Sequence, residues 1–324
     1  MVTVDQIVDI LAQTVCSIKG SCGLLLATVM NRDFSRFRGL MIFWLVCVIV
    51  VRAVIKLNRR IVDDPASWKP PVAQDAVVVT GAASGLGLLI AGLLSERGIK
   101  VIALDKAAIP IGIANCKSFT VDISDEEAVK AIAGTVMKDT GAPKAIIHCA
   151  GIVIPGYIKD LSFNAIASMM KVNYLGNLWV TKAFLDPMLG RQDGAMIITV
   201  ASSTALAAPA GAGIYAGTKA ALRLTYEAFR YETQDSQLRS LVYTPGQLDT
   251  AMFQSLDNPS PWFSPTLRGV DVAVDIVDAL YRGRTGEIRR PLYAFTLPVA
   301  SLLPQSLVDY MRHKIGIDRA METF

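Results

Sequence analysis

Tyr215 and Lys219 stand four residues apart in the segment YAGTK. On a helix that spacing puts both side chains on one face. An ammonium there can lower the phenol's pKa from about 10 towards neutrality, making a general base that strips an alcohol proton. Ser202 precedes Tyr215 by thirteen residues (215 minus 202) and follows the strand-like run Ala195–Val200. A hydroxyl at a strand's carboxyl end points into the crevice where such sheets bind ligands, and it can donate to a substrate oxygen as negative charge develops. Asn173, in KVNYLG, sits inside an otherwise apolar helical stretch, a poor place for an amide that is not used.

The upstream segment TGAASGLG brings Gly81, Ser84, Gly85, Leu86 and Gly87 between a strand-like run and an apolar helix. Its glycines permit a tight turn and let the backbone approach a pyrophosphate at the helix N-terminus. Asp105 ends the next strand, eighteen residues after Gly87 (105 minus 87). A carboxylate there accepts hydrogen bonds from ribose hydroxyls and repels a 2′-phosphate, which favours NAD; Lys106 beside it leaves NADP open. Asp122, after the following strand, is placed either to meet an adenine amine or to cap a helix.

Positioning these residues takes an alternating framework. Strands are expected at Ala76–Val79, Lys100–Leu104, Ser118–Val121, Ala145–His148, Ala195–Val200 and Leu238–Tyr243. Helices are expected at Leu86–Leu94, Glu126–Val136, Phe163–Leu185 and Tyr215–Tyr231. That order predicts an α/β fold, a Rossmann-type doubly wound parallel sheet with helices on both faces.

The 324 residues are 52% hydrophobic and 19% charged, apolar for a soluble enzyme, and part of the excess sits in one place. Residues 40–51 read LMIFWLVCVIVV. Alone they would rise about 18 Å as a helix, short of a hydrocarbon core of roughly 30 Å. Counting Gly39 to Leu57, with Arg52 and Lys56 snorkelling, brings the run near spanning length. Residues 1–62 are therefore expected to form a membrane-associated helical anchor. Within it, Ile7, Ile10, Leu11 and Val15 mark an amphipathic helix. Arg32, Arg36 and Arg38 before the apolar run and Arg52, Lys56, Arg59 and Arg60 after it leave orientation nearly undecided. A Pro-rich linker is expected at 63–74, a catalytic domain at 75–290, and at 291–324 an apolar extension that covers the substrate site or touches the membrane.

A net charge of +4 is too small and dispersed for nucleic-acid binding. Five cysteines without a CxxC pattern suit a reducing compartment and offer no metal site. Two histidines and the absence of G-x-S-x-G speak against a Ser-His-Asp hydrolase.

Together TGAASGLG, Asp105, Asn173, Ser202, YAGTK and the Pro245-Gly246 turn resemble the short-chain dehydrogenase/reductase superfamily across roughly residues 75 to 250. The resemblance implies that Tyr215 is the acid/base and that Lys219 lowers its pKa and holds the nicotinamide ribose. It implies that Ser202 orients the substrate carbonyl and that Asn173 holds a water in a proton relay. Pro245, Gly246 and Thr250 match the segment along the nicotinamide. The family's Asn-Asn-Ala-Gly is here His148, Cys149, Ala150 and Gly151, with His148 read as a structural replacement. Met252, Phe253, Trp262 and Phe263 come where the family places a substrate lid.

The flanks are similar to the membrane-bound retinol and hydroxysteroid dehydrogenase branch of the endoplasmic reticulum and lipid droplets. This likeness implies hydride transfer between NAD(H) and a lipid alcohol or ketone. The catalytic domain would face the cytosol from an endoplasmic reticulum or lipid-droplet surface, and a homodimer is compatible. An NADPH-dependent lipid ketone reductase and a non-catalytic NAD-binding scaffold are the alternatives.

Overall fold

The computed structural model describes residues 3–14, 16–30, 37–62, 68–110, 112–253, 258 and 260–319. Val15, Arg32, Arg36 and the first five residues of the expected linker lie outside them. The chain divides into two compact units, Met1–Asp64 and Pro65–Phe324.

In the first unit, α1 (Val4–Gln13) starts at a capping box, Thr3 accepting from the Gln6 N–H while Gln6 accepts from the Thr3 N–H. Helices α2 (Ile18–Met30) and α3 (Arg38–Val62) pack on each other. Arg52 donates to the carbonyls of Ala12 (2.8 Å), in the last turn of α1, and Cys16 (3.2 Å), just after it. The apolar part of α3 is Gly39–Val54, and among the described residues no single helix is long and apolar enough to cross a membrane. Val4–Gln13 and Ile18–Ala27 meet length and composition only as a pair, bent by 69°.

The second unit is built on seven parallel strands in the order β3-β2-β1-β4-β5-β6-β7. They are β1 (Ala76–Thr80), β2 (Lys100–Asp105), β3 (Cys116–Thr120), β4 (Ala145–His148), β5 (Ala195–Val200), β6 (Leu238–Pro245) and β7 (Gly286–Arg290). Both faces are covered, so the central strands are apolar throughout rather than alternating. Val77 and Val79 enter one core with α4 (Gly85–Glu96) and α9 (Gly269–Arg282). Val78 enters the other, with α5 (Glu126–Thr140), α7 (Asn177–Leu189) and α8 (Gly213–Glu232). The strand order reverses between β1 and β4, which opens a crevice at their carboxyl ends.

Four features depart from expectation. β3 begins two residues earlier than expected, its edge position demanding less apolar character. The helix expected over Phe163–Leu185 is α6 (Phe163–Met170), a π-helical turn at Lys171–Gly176, and then α7. α9 and β7 complete the sheet beyond the expected elements. Trp68, expected in the linker, is buried in the core beneath the sheet. There Lys144, itself fully buried, holds its ammonium 4.3 Å from the Trp68 ring and donates to the carbonyls of Asp193 (2.6 Å) and Gly194 (2.8 Å).

Candidate active site

A cleft of about 690 Å³ opens over the carboxyl ends of the strands. It is lined by Gly81, Ser84, Gly85, Leu86, Gly87, Asp105, Asp122, Ala150, Gly151, Ser202, Tyr215, Lys219, Pro245, Gly246 and Thr250. Every cofactor candidate from the sequence is in this lining; Asn173 stands behind it.

The loop from β1 to α4 is tight enough to need its glycines. Gly81 has φ +70°, and a Cβ there would lie 2.8 Å from the Ala150 backbone. At Gly87 a Cβ would lie 2.1 Å from the Gly81 carbonyl oxygen. Backbone packed this closely leaves the α4 N-terminus open to a diphosphate, whose charge its N–H groups and dipole favour. Asp105 braces the loop: its carboxylate accepts from the Ala83 N–H and the Ala107 N–H, both at 2.9 Å. A carboxylate has about four acceptor positions, so ribose hydroxyls still find a partner. These residues fit a nicotinamide dinucleotide.

Asp122 is bound by the Lys106 ammonium at 2.8 Å and by the Ser124 N–H (2.9 Å) and hydroxyl (2.7 Å). Burial pushes its pKa up, but Lys106 and Ser124 outweigh that and hold it at about 2. Lys106, which is exposed, thus pairs with a carboxylate.

The reacting end is assembled from three elements. β5 delivers Ser202 to the cleft wall beside Tyr215, its Oγ accepting from the Thr204 N–H (3.2 Å) and the Thr204 hydroxyl (2.9 Å). α8 presents Tyr215 and Lys219 on one face, both buried, with the Lys219 ammonium 5.9 Å from the Tyr215 ring centroid and donating to Val200 O at 3.0 Å. The π-helical turn aims Asn173 inward. Its Oδ1 accepts from the Ile152 N–H (2.7 Å), and its Nδ2 donates to Ile152 O (2.9 Å) and Thr218 Oγ1 (3.1 Å). Asn173 therefore fastens the loop after β4 to α8.

The phenol differs from expectation. Burial raises the Tyr215 pKa to about 12, and hydrogen bonding from Ser202 only partly opposes this. Burial lowers the Lys219 ammonium to about 8, with Cys149 acting in the opposite sense. Lys219 is tied to Val200 rather than to the phenol oxygen, so Tyr215 rests as the protonated acid.

Behind the site, His148 Nε2 contacts Thr181 Oγ1 (2.8 Å) and the Tyr226 hydroxyl (3.1 Å), joining β4, α7 and α8. Burial and then the Lys219 charge push its pKa down to about 3, so it is neutral and remote from proton transfer. Thr80 Oγ1 accepts from the N–H groups of Cys149 and Ala150, both at 3.2 Å, and holds the β4 loop against β1.

On the other side of Tyr215 lies a second cavity of about 200 Å³. Ser202, Ser203 and Tyr215 make its polar end, and α10 (Tyr293–Ala300) and α11 (Gln305–Ile315) supply Leu297, Ala300, Val308 and Ile315 at the other. Phe253 lines both spaces, its ring edge-on to Tyr215 at 6.5 Å. Of the residues expected as a lid, Phe263 packs on Tyr293 (5.7 Å) in this cavity, Met252 lines the cofactor cleft, and Trp262 is exposed. The Tyr293 hydroxyl meets Ser203 Oγ at 3.0 Å. Arg312 is the one charged residue in the described lining, and it is spent on Asp318 and the Ala208 carbonyl.

Sequence reasoning did not single out Thr80, Ile152, Thr218 or Tyr293. The first three act through backbone groups or common hydroxyls and carry no local signal; the aromatic, uncharged stretch around Tyr293 was the available hint.

A family model described as short chain dehydrogenase matches residues 75–260. The chain is 27% identical over 266 residues to human epidermal retinol dehydrogenase 2, covering 78% of this chain and 86% of the relative. It is 23% identical over 270 residues to an uncharacterized oxidoreductase of Saccharomyces cerevisiae, covering 79% and 87%. A ligand-free aldohexose dehydrogenase from Thermoplasma acidophilum superposes with a TM-score of 0.57 at 21% identity over 66% of this chain and 92% of that one, a likeness of fold.

Proposed function

This chain belongs to the short-chain dehydrogenase family and is an NAD(P)-dependent oxidoreductase acting on alcohols, and on that premise we propose that its cofactor is NAD and its substrate a lipid alcohol or the matching ketone. The observation that carries the substrate class is the second cavity. Ser202, Ser203 and Tyr215 bring hydroxyls to it, Phe253, Phe263, Leu297, Val308 and Ile315 give it an apolar wall interrupted by Gln247, Asn258 and Thr296, and its single charge is internally paired. A ligand with one hydroxyl or carbonyl on an apolar body leaves no buried group unpaired there. The likeness to a retinol dehydrogenase supports a retinoid, steroid or long-chain lipid.

For the cofactor, Asp105 sets a negative charge at the end of β2, and the neighbouring cation, Lys106, is paired with Asp122. The Asp105 carboxylate favours an unphosphorylated ribose. The residues that would hold NAD are the Gly81–Gly87 loop, Asp105, Lys219 and the Pro245–Thr250 segment. When bound, the nicotinamide accepts or returns the hydride.

The chain's own residues manage the proton. Ser202 and Tyr215 direct hydroxyls at the substrate oxygen. Tyr215, protonated at rest, gives its proton to the oxygen when a ketone is reduced. For alcohol oxidation the phenolate must form, and the ammonium of Lys219 on the same helix face is the positive charge that favours it.

We further assign the first unit to attachment at an endoplasmic reticulum or lipid-droplet surface, with the catalytic unit facing the cytosol. The apolar Gly39–Val54 helix and its packing against α2 support a non-spanning hairpin. The five free cysteines support a reducing compartment.

The test is NADH fluorescence with a panel of retinols, sterols and long-chain alcohols. Wild type should turn over at least one, and Tyr215→Phe should bind NAD nearly as well while turnover falls by roughly 10²–10⁴. NAD binding with silence across the panel would leave a scaffold as the better reading.

A further inference from the structure

Residues 291–308 contain no Asp, Glu, Lys or Arg. They form α10, the turn after it and the start of α11. An apolar helix normally has protein or lipid on every side. Among the described residues, protein covers one side: Leu297 and Ala300 of α10, with Val308 and Ile315 of α11, wall the substrate cavity. Phe295, Val299, Leu302 and Leu307 are exposed, Leu302 at 82%. Contiguous apolar surface of this kind marks a docking site.

The surrounding side chains indicate what covers this face. Met311 belongs to both surfaces, lining the cavity while remaining 38% exposed, so the apolar lining continues outward between the helices. Tyr310 is exposed with the Lys314 ammonium 5.6 Å from its ring, and His313 is exposed in the same last turn. An aromatic ring with an ammonium at the edge of an apolar face suits the headgroup level of a lipid leaflet, where acidic headgroups attract Lys314, while neighbouring Asp309 accepts from Gln305. The hairpin is held at its far end, because Arg312 donates to Asp318 and Ala208 O (2.8 Å) while Asp318 accepts from the Ala210 N–H (2.9 Å). That clamp fastens α11 to the loop leading into α8.

We infer that the α10–α11 hairpin is a lipid-contacting entrance. Its outer face rests in a phospholipid leaflet, and an apolar alcohol passes from the leaflet past Met311 to Tyr215 without crossing water. The inference deepens the lipid-alcohol reading and rests on it for the substrate, though not for the contact.

The experiment uses the full chain with vesicles of phosphatidylcholine and phosphatidylserine. In Leu302→Trp, phospholipids brominated in their acyl chains should quench tryptophan emission beyond the wild-type level. Quenching equal to wild type overturns the contact. In Val299→Asp/Leu302→Asp, kcat/KM for a long-chain alcohol embedded in the vesicles should fall about tenfold, the cost of placing charge at a lipid interface. The value for a short, water-soluble secondary alcohol should stay unchanged. Equal loss on both alcohols, or on neither, overturns the route. A change of oligomeric state on sedimentation with vesicle turnover intact assigns the face to a second copy and also overturns it. If wild type oxidises no alcohol, the lipid-alcohol reading fails, and the quenching result still decides the contact.

Discussion

Lys219 Nζ lies 3.0 Å from the carbonyl oxygen of Val200, so the cation beside Tyr215 is fixed to the end of the strand that delivers Ser202. The bond couples the placement of base, cation and substrate-orienting hydroxyl.

Lys219→Met removes both the charge and that bond. kcat/KM should fall by roughly 10²–10⁴, with weaker NAD binding, in steady-state kinetics and cofactor titration. Lys219→Arg should not restore it, because a planar guanidinium does not fit the buried ammonium site. Near-wild-type rates in the Arg variant would show that charge alone suffices.

Asn173→Ala orphans the Ile152 N–H and carbonyl behind the active site. The expected loss is about 1–3 kcal/mol for a buried group left unpaired, read from urea unfolding. Asn173→Asp should do no better, since a carboxylate cannot donate to Ile152 O or Thr218. A stable Asp variant would mean that the loop is held by other contacts.

Asp105→Ser should lower kcat/KM with NAD and raise it with NADP. The NAD side falls partly because the Ala83 and Ala107 N–H groups lose their acceptor. Specificity constants for both cofactors check this, and a wild-type preference for NADP would reverse the cofactor assignment.

The pKa of His148 is about 3 in the folded chain against 6.5 for an unperturbed histidine. Between those values the unfolded chain binds the extra proton, so wild-type stability should fall as pH drops through 6.5 towards 3. His148→Gln should lose less stability over the same range in urea titrations. Parallel pH curves for the two proteins would place the acid sensitivity elsewhere.

Deleting residues 1–62 should release a folded, NAD-binding unit, because Trp68 and the strands and helices after it pack into the second unit's own cores. Residual binding to vesicles through Leu302 and its neighbours is expected in flotation assays. A truncated chain that no longer binds NAD would show that the first unit takes part in folding the second.

Local features were legible in the residues themselves. A Tyr-Lys spacing of four, glycines between a β-branched run and an apolar helix, and Asp105 at a strand end each act over a few residues, where helix period and steric freedom decide the outcome. They were enough for the parallel sheet and for the membership of the cleft.

Other features depend on residues far apart in sequence, and only the folded chain determined them. The use of Asn173 is set by Ile152 and Thr218, and a π-helical turn orients it. Trp68 is core because Lys144 and the underside of the sheet close over it. Tyr215 rests protonated because burial raises its pKa more than Ser202 lowers it, and burial is a property of the assembled site rather than of the YAGTK segment. The apolar stretch after residue 290 was visible as composition. That one of its faces walls a cavity while the other is exposed is decided by α10 packing against β7 and by the clamp from Arg312 and Asp318 to the loop before α8. Hydrophobicity states that a segment avoids water; tertiary packing decides what it meets instead.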